Sequence, residues 1–171
     1  MTSAFFSLGS NIGDRKKCVD SAVTELNEHP HIQLVTRSSY YETEPWGGVE
    51  QDSFLNICIS VETALSAEGL LKFALSTETR LGRVRDQKWG PRIIDIDLLI
   101  FGKESHMSPH LTVPHPHIMD RAFVLIPLAE IAPDLEIKST NVFEAAVTHP
   151  DKEGVIKLVW SVPEIRLATQ T

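Results

Sequence analysis

The stretch WGPRIIDIDLLIFG, Trp89 to Gly102, reads as a buried β-strand that carries two acids. Ile93, Ile94, Ile96, Leu98, Leu99, Ile100 and Phe101 make a nearly continuous apolar run, yet Asp95 and Asp97 sit inside it. Side chains of a strand alternate between faces, so residues two apart point the same way. Both carboxylates therefore share one face of a strand that otherwise favours burial. An unpaired buried carboxylate is costly, and two neighbours repel each other. Either the aspartates face solvent, or arginines pair with them, or something else at that face compensates their charge.

Outward from this strand, the chain reads as a regular series. Ala4 to Leu8 is a short apolar strand that leaves through GSNIG. From Asp14 to Asn27 the positions Val19, Ala22, Val23 and Leu26 recur at helical spacing, and His29 and Pro30 stop the helix. Gln33 to Tyr41 is rich in β-formers, and Phe54 to Thr63 alternates as a strand after the loop EPWGGVEQD. Ser66 is a candidate N-cap for a helix that ends near Leu81, with Gly82 as terminator. The order strand, helix, strand, strand, helix, strand is the βαββαβ, ferredoxin-like plan of an α+β protein: an antiparallel sheet with both long helices on one face. A third helix over Arg121 to Ile131 is complicated by Pro127. Beyond Ser139 the signals weaken. Asn141 to Val147 fits a short helical turn, and the last ten residues read as a loose tail. The expected organisation is one domain over residues 1–171, weakly defined from about 139 onward.

Composition narrows the function classes. The 171 residues are 42% hydrophobic and 23% charged, as in ordinary globular proteins. A formal net charge of −7 argues against a general nucleic-acid binder or a ligand of anionic membranes. No apolar run is long enough to span a bilayer, and the first residues lack a signal-peptide pattern, so a cytoplasmic protein is expected. Cys18 and Cys58 show no CxxC spacing and are expected as reduced core thiols.

The loop before the acidic strand changes the reading of that strand. Arg83, Arg85, Lys88 and Arg92 place four positive charges within ten residues of an acidic protein. Mg²⁺ binds hard oxygen ligands, commonly one or two carboxylates plus substrate phosphates. Guanidinium groups clamp phosphate oxygens bidentately. Carboxylates for a cation and arginines for phosphate together describe phosphoryl-group transfer. There is no GxxxxGK[ST] loop, and GSNIG reads as a turn that feeds the first helix. LTVPHPHIMDRAF gathers Thr112, His115, His117 and Arg121 around two prolines. Phosphate contacts from His115 and Arg121 fit better than zinc, for which matching ligands are missing. Glu78 shares a helical stripe with Leu71, Ala74 and Leu75, either as a helix-end charge reaching solvent or as part of a site. Phe54 and Phe123 suit a core, whereas Trp46 and Trp89 fall in Gly/Pro-containing loops; an aromatic pair can also sandwich a flat heterocycle.

GSNIG, SSYYETEP, FLN, GRVR, WGPRIIDIDLLIFG, LTVPHP and RAFVLIPLAEIAPDL occur in this order, and the pattern resembles the 6-hydroxymethyl-7,8-dihydropterin pyrophosphokinase family over residues 3 to 135. The resemblance implies a ferredoxin-like core, ATP as co-substrate and transfer of its terminal diphosphate to the pterin hydroxymethyl group, with release of AMP. It implies that Asp95 and Asp97 hold two Mg²⁺ ions, with Asp95 also near the pterin hydroxyl, and that Arg83 and Arg92 contact phosphates. Trp89 would close over the site. Glu78, Arg85, Leu98, Thr112, His115 and Arg121 match ATP-associated positions. Phe54 and Phe123 match the pair that sandwiches the pterin, Asn56 its hydrogen-bonding partner, and Thr43 and Trp46 the pocket wall. The chain departs from the family pattern at Glu44, Trp46, Leu75, His110 and Pro116. The expected partners are ATP and the pterin, with no nucleic acid and no membrane, and the expected state is a monomer. Two other readings accommodate paired carboxylates on this fold: a two-metal phosphodiesterase, and a nucleotide-sensing module without catalysis.

Overall fold

A computed structural model describes residues 1–44, 52–83 and 92–165. Strand β1 (Thr2–Ser10) leads into helix α1 (Arg15–Glu28), which Asp14 caps by accepting the Lys17 N–H at 3.1 Å. Strands β2 (Ile32–Arg37), β3 (Tyr41–Thr43) and β4 (Phe54–Thr63) follow. Helix α2 (Ala67–Arg80) begins at Ser66, which accepts the Gly69 N–H, and is followed by Gly82 at φ +96°. Strand β5 (Asp95–Phe101) completes the expected series. The sheet is antiparallel throughout its core, with β1 between β4 and β5, and with β2 and β3 both on the far side of β4. This is the ferredoxin-like arrangement.

One expected strand is two. The run Gln33 to Tyr41 breaks at Ser38, whose backbone N–H donates to the Cys58 carbonyl and whose hydroxyl accepts the Cys58 N–H. Residues before the break pair with the far end of β4, and Tyr41–Thr43 pair with Asn56–Phe54.

Beyond β5 come the hairpin of β6 (His106–Met107) and β7 (Thr112–Val113), and helix α3 (Ala122–Ile131). Pro127 lies inside α3 and removes one backbone donor, but Val124, Leu125 and Leu128 are buried and hold the helix on the sheet. A second hairpin, β8 (Glu136–Ile137) and β9 (Thr140–Asn141), turns through Lys138 and Ser139 at positive φ and precedes α4 (Val142–Val147). Beyond Ser139 the described residues carry a helix and a strand where the sequence signals are weak. After a 3-10 turn (Lys152–Gly154), β10 (Val155–Lys157) joins the main sheet as the edge strand beside β3. Both cysteines are free, Cys58 buried and Cys18 half-buried. Among the described residues, no helix is long and apolar enough to cross a membrane.

The two faces of the sheet are covered unequally. Ala4, Phe6 and Leu8 of β1, Leu55, Ile57, Ile59 and Val61 of β4, and Ile96 and Leu98 of β5 pack with α1 and α2 into the larger core. On the opposite face, Cys58, Leu99 and Ile100 pack under α3 and α4. A bulge makes this possible: Phe5 pairs with Ile100 and Phe6 with Leu98, so Leu99 is the extra residue, and Ile100 turns to the same face as Leu99. The second helical layer reaches only part of its face. Asp95, Asp97, Asn56 and Phe54 lie beyond it.

Candidate active site

Strand register explains how a buried strand carries two acids. Gly9 of β1 pairs with Asn56 on one side and Asp95 on the other; Ser7 pairs with Cys58 and Asp97. Partners in register share a face, so Asn56, Gly9 and Asp95 form one row across the sheet and Cys58, Ser7 and Asp97 the next. Alpha-helix α3 covers the Cys58 end, and Asp95 and Asp97 fall at the uncovered end. The acids need no hydrophobic burial because that half of the face is the floor of two clefts.

The first cleft is lined by Thr43, Phe54, Asn56, Gly9 and Phe123, with Arg92, Asp95, Asp97 and Arg121 at its inner end. The Asn56 amide nitrogen donates to the Thr43 hydroxyl at 2.8 Å, which orients its carbonyl oxygen over Gly9. A Cβ at Gly9 would lie 2.8 Å from that oxygen, so the backbone here approaches closer than any side chain permits. Two phenyl rings beside a polar amide make a slot suited to a flat heterocycle.

The second cleft runs along β5 and the β6–β7 hairpin, lined by Glu78, Arg83, Leu98, Thr112, His115 and Pro116 among others. It shares Arg92, Asp95, Asp97 and Arg121 with the first. Its charges are arranged in a chain. Glu78 is 1% exposed, accepts the Ile96 N–H at 3.2 Å and pairs with Arg83. It does not reach solvent, which corrects the helix-end alternative. Burial raises the Glu78 carboxyl, and the facing Arg83 opposes that rise. Arg83 continues to Asp95 at 2.8 Å, and Arg92 reaches the other Asp95 oxygen at 3.0 Å. Asp97 belongs to none of the ion pairs among the described residues, so the arginine partner of this strand is Asp95 alone. Burial first, and the Asp95 charge second, push the Asp97 carboxyl up to about 7.

His115 is pushed down to about 4 by burial and then by Arg121. At neutral pH it is uncharged, so it meets an anion as a hydrogen-bond donor and not as a cation. Its Nδ1 accepts the His117 N–H at 3.1 Å, which leaves the proton on Nε2. Among the described residues no three metal-binding side chains of the His, Cys, Asp and Glu types gather at one point, as zinc or the phosphodiesterase alternative would favour.

Over residues 5–133 the chain matches the family model described as 7,8-dihydro-6-hydroxymethylpterin-pyrophosphokinase. The chain belongs to that family. A pyrophosphokinase of this name from Methylorubrum extorquens is 49% identical, over 85% of this chain and 92% of the relative. One from Bacillus subtilis is 41% identical, over 89% and 87%. Among solved structures, an HPPK-DHPS in complex with substrates superposes with a TM-score of 0.73 at 12% identity, and one from Plasmodium falciparum with 0.74 at 14%. Each is covered over about half of its length and shows the fold alone.

Of the residues singled out from the pyrophosphokinase resemblance, Arg92, Asp95 and Asp97 line both clefts, and Arg83 reaches Asp95 from the second. Glu78, Leu98, Thr112, His115 and Arg121 line the second cleft, and Thr43, Asn56, Phe54 and Phe123 the first. Leu75, His110 and Pro116, where the chain departs from the family pattern, all border the second cleft. Trp46, Arg85 and Trp89 lie outside the described residues, as does the loop expected to close over the site. The sequence reading missed Ser7, Gly9 and Asn11. Asn11 is 2% exposed and ties together two segments that flank the site. Its amide donates to the Asp52 carbonyl at 3.0 Å, and its side-chain oxygen accepts the Arg92 N–H at 2.7 Å.

Proposed function

We propose that this chain transfers a diphosphate group from ATP to the hydroxymethyl oxygen of 6-hydroxymethyl-7,8-dihydropterin and releases AMP, with the first cleft holding the pterin and the second the nucleotide. The observation that carries this reading is the shared end of the two clefts: one pair of carboxylates and two arginines, Arg92 and Arg121, front both, and Arg83 reaches Asp95 from the second. A planar substrate between Phe54 and Phe123 would direct its substituent toward Asp95 and Asp97. A triphosphate in the second cleft would bring its phosphorus atoms to the same point. The hydroxymethyl oxygen then gives up its proton to Asp97 or to water and forms a bond to the β-phosphorus, while the bond from that phosphorus to the α–β bridging oxygen breaks and AMP leaves.

The donor set fits Mg²⁺. Asp95 and Asp97 supply hard oxygens from one strand face, and Asp97 is held without an ion pair among the described residues. We take these two residues to hold two ions. The metal would supply charge neutralisation on the phosphates and polarisation of their oxygens. The chain's own residues do the rest. Arg83 and Arg92 grip Asp95, and the same guanidinium groups bind phosphate oxygens bidentately. Exchange of one partner for the other releases the carboxylate where the triphosphate arrives. Glu78 keeps Arg83 at this position throughout. The His115 Nε2–H and Arg121 offer further donors to the phosphate chain. Thr43 holds the Asn56 amide so that its oxygen faces the bound ring.

The test is direct. The chain is supplied with ATP, Mg²⁺ and the pterin, and nucleotide products are separated. AMP that forms only when the pterin is present supports the reading. Formation of ADP, or cleavage of added nucleic acid, refutes it.

A further inference from the structure

The sequence RAFVLIPLAEIAPDL places a carboxylate, Glu130, in the last turn of an otherwise apolar helix, and the proposed chemistry makes no use of it. Its partners all lie on the strands beneath. One Glu130 oxygen accepts the Ser39 N–H at 2.6 Å, the other accepts the Tyr41 hydroxyl, and Lys157 of β10 lies 3.7 Å away. Tyr41 is buried, and its ring stands on the α3 face of the sheet. The carboxylate is held low by these donors despite its partial burial.

The two elements joined at Glu130 both line the first cleft: α3 carries Phe123, and β3 carries Thr43, the register partner of Phe54. Phe123 lies seven residues before Glu130 on α3, close to two full turns, so both occupy one helix face about 10 Å apart along the axis. Thr43 lies two residues after Tyr41 on β3, on the same sheet face. Phe123 and Thr43 line the cleft, and Glu130 and Tyr41 bond to each other behind it. Strand β3 is three residues long, so its own ladder fixes it weakly, and it sits between β4 and the equally short β10. A charge-assisted brace at one end therefore decides how far apart the walls stand at the other.

We infer that Glu130 is a positioning residue that sets the width of the pterin cleft by locking α3 to β3 through Tyr41 and Ser39, with Lys157 of β10 as an outer support. The inference rests on the assignment of the first cleft to the pterin. It makes the C-terminal strand, which lies beyond residues 5–133 matched by the family model, part of the support of the substrate pocket.

Steady-state kinetics with each substrate varied in turn tests it on Glu130→Ala, Glu130→Gln, Tyr41→Phe and Phe123→Ala. Glu130→Ala loses its hydrogen bonds and should raise the pterin KM about tenfold, with the ATP KM within about twofold. Tyr41→Phe should raise the pterin KM about fivefold by the same loss. Glu130→Gln keeps one oxygen to accept the Ser39 N–H and offers an amide N–H that the Tyr41 hydroxyl oxygen can accept, so it should stay within about threefold of the parent. A Glu130→Ala protein with parallel rises in both KM values, or with an unchanged pterin KM, overturns the inference. So does a Glu130→Gln protein as impaired as Glu130→Ala. Where Glu130→Ala fails to fold, Tyr41→Phe decides by the same criteria. Phe123→Ala separates the two layers. If it raises the pterin KM while Glu130→Ala and Tyr41→Phe do not, only the role of Glu130 falls; if it leaves the pterin KM unchanged, the cleft assignment falls too.

Discussion

Gly9 occupies the position where the smallest side chain matters most. The Asn56 oxygen would lie 2.8 Å from a Cβ at Gly9, and Asn56 is itself fixed by the Thr43 hydroxyl, so it has little freedom to give way. Gly9→Ala should therefore misplace the Asn56 amide and weaken pterin binding by at least about tenfold, the scale of one lost hydrogen bond with strain added. ATP binding in the neighbouring cleft should persist; calorimetric titration of each ligand separates the two. Phe54→Ala tests the opposite kind of contact. It should cost about 1–3 kcal/mol of pterin affinity through lost ring stacking, with ATP affinity preserved. Equal losses for both ligands would return Phe54 to a purely structural role. The aspartates were legible in the sequence because a carboxylate in an apolar run contradicts its surroundings. Gly9 and Ser7 were not, because small residues near a strand end contradict nothing. Their meaning appears only when β1 is set in register between Asn56 and Asp95.

Among the elements, the helices and long strands follow their sequence signals closely, and the failures have definite causes. The break between β2 and β3 is invisible in the β-rich run because Ser38 replaces a ladder position with its own hydroxyl, a choice that depends on Cys58 twenty residues away. Strand β10 is three residues long with two of them exposed, so no alternation announces it. The turn GSNIG does feed α1, but Asn11 also clamps two distant segments. It holds the Asp52 carbonyl just ahead of β4 and the Arg92 backbone just ahead of β5, with a further bond from its own N–H to the Arg92 carbonyl at 3.1 Å. Arg15 adds to the first attachment through the Ser53 carbonyl at 2.9 Å. Since one attachment leads to Phe54 and the other to Arg92, Asn11→Ala should raise the KM of both substrates, in contrast to Gly9→Ala. The loss of buried hydrogen bonds should also lower stability by about 1–3 kcal/mol, read from a urea denaturation curve. An Asn11→Ala protein with only one KM changed would show that the two segments are positioned independently.

At the scale of the whole molecule, the sheet has one face fully covered by α1 and α2 and another covered only in part, and the uncovered part holds the acids. That asymmetry has a stability consequence centred on Asp97. In a chelator, burial and the Asp95 charge hold the Asp97 proton up to about 7, against an ordinary value of 3.8. Between roughly pH 4 and 7 the folded chain therefore binds more protons at this site than the unfolded chain, and the Asp97 contribution to stability falls as pH rises through that window. His115 works in the opposite sense. Its folded value of about 4 lies below the ordinary 6.5, so its contribution is complete above 6.5 and is lost as pH falls toward 4. The two slopes oppose each other over most of the range. Asp97→Asn keeps the shape of the side chain and removes one slope, so the difference between parent and variant isolates Asp97. In chelator, the variant should gain stability relative to the parent as pH rises from 4 to 7, and at pH 7 it should be at least as stable, because no arginine loses its partner. Excess Mg²⁺ should then stabilise the parent more than the variant, through preferential binding to the folded state. Turnover by the variant at saturating Mg²⁺ should drop by roughly two orders of magnitude or more, as expected for loss of a metal ligand. The measurements are urea denaturation curves across pH with and without Mg²⁺, alongside AMP formation. A variant that is destabilised in chelator at pH 7, responds to Mg²⁺ as the parent does and still forms AMP would make Asp97 a structural carboxylate. The charge balance on the uncovered face would then rest on Asp95 and its two arginines alone.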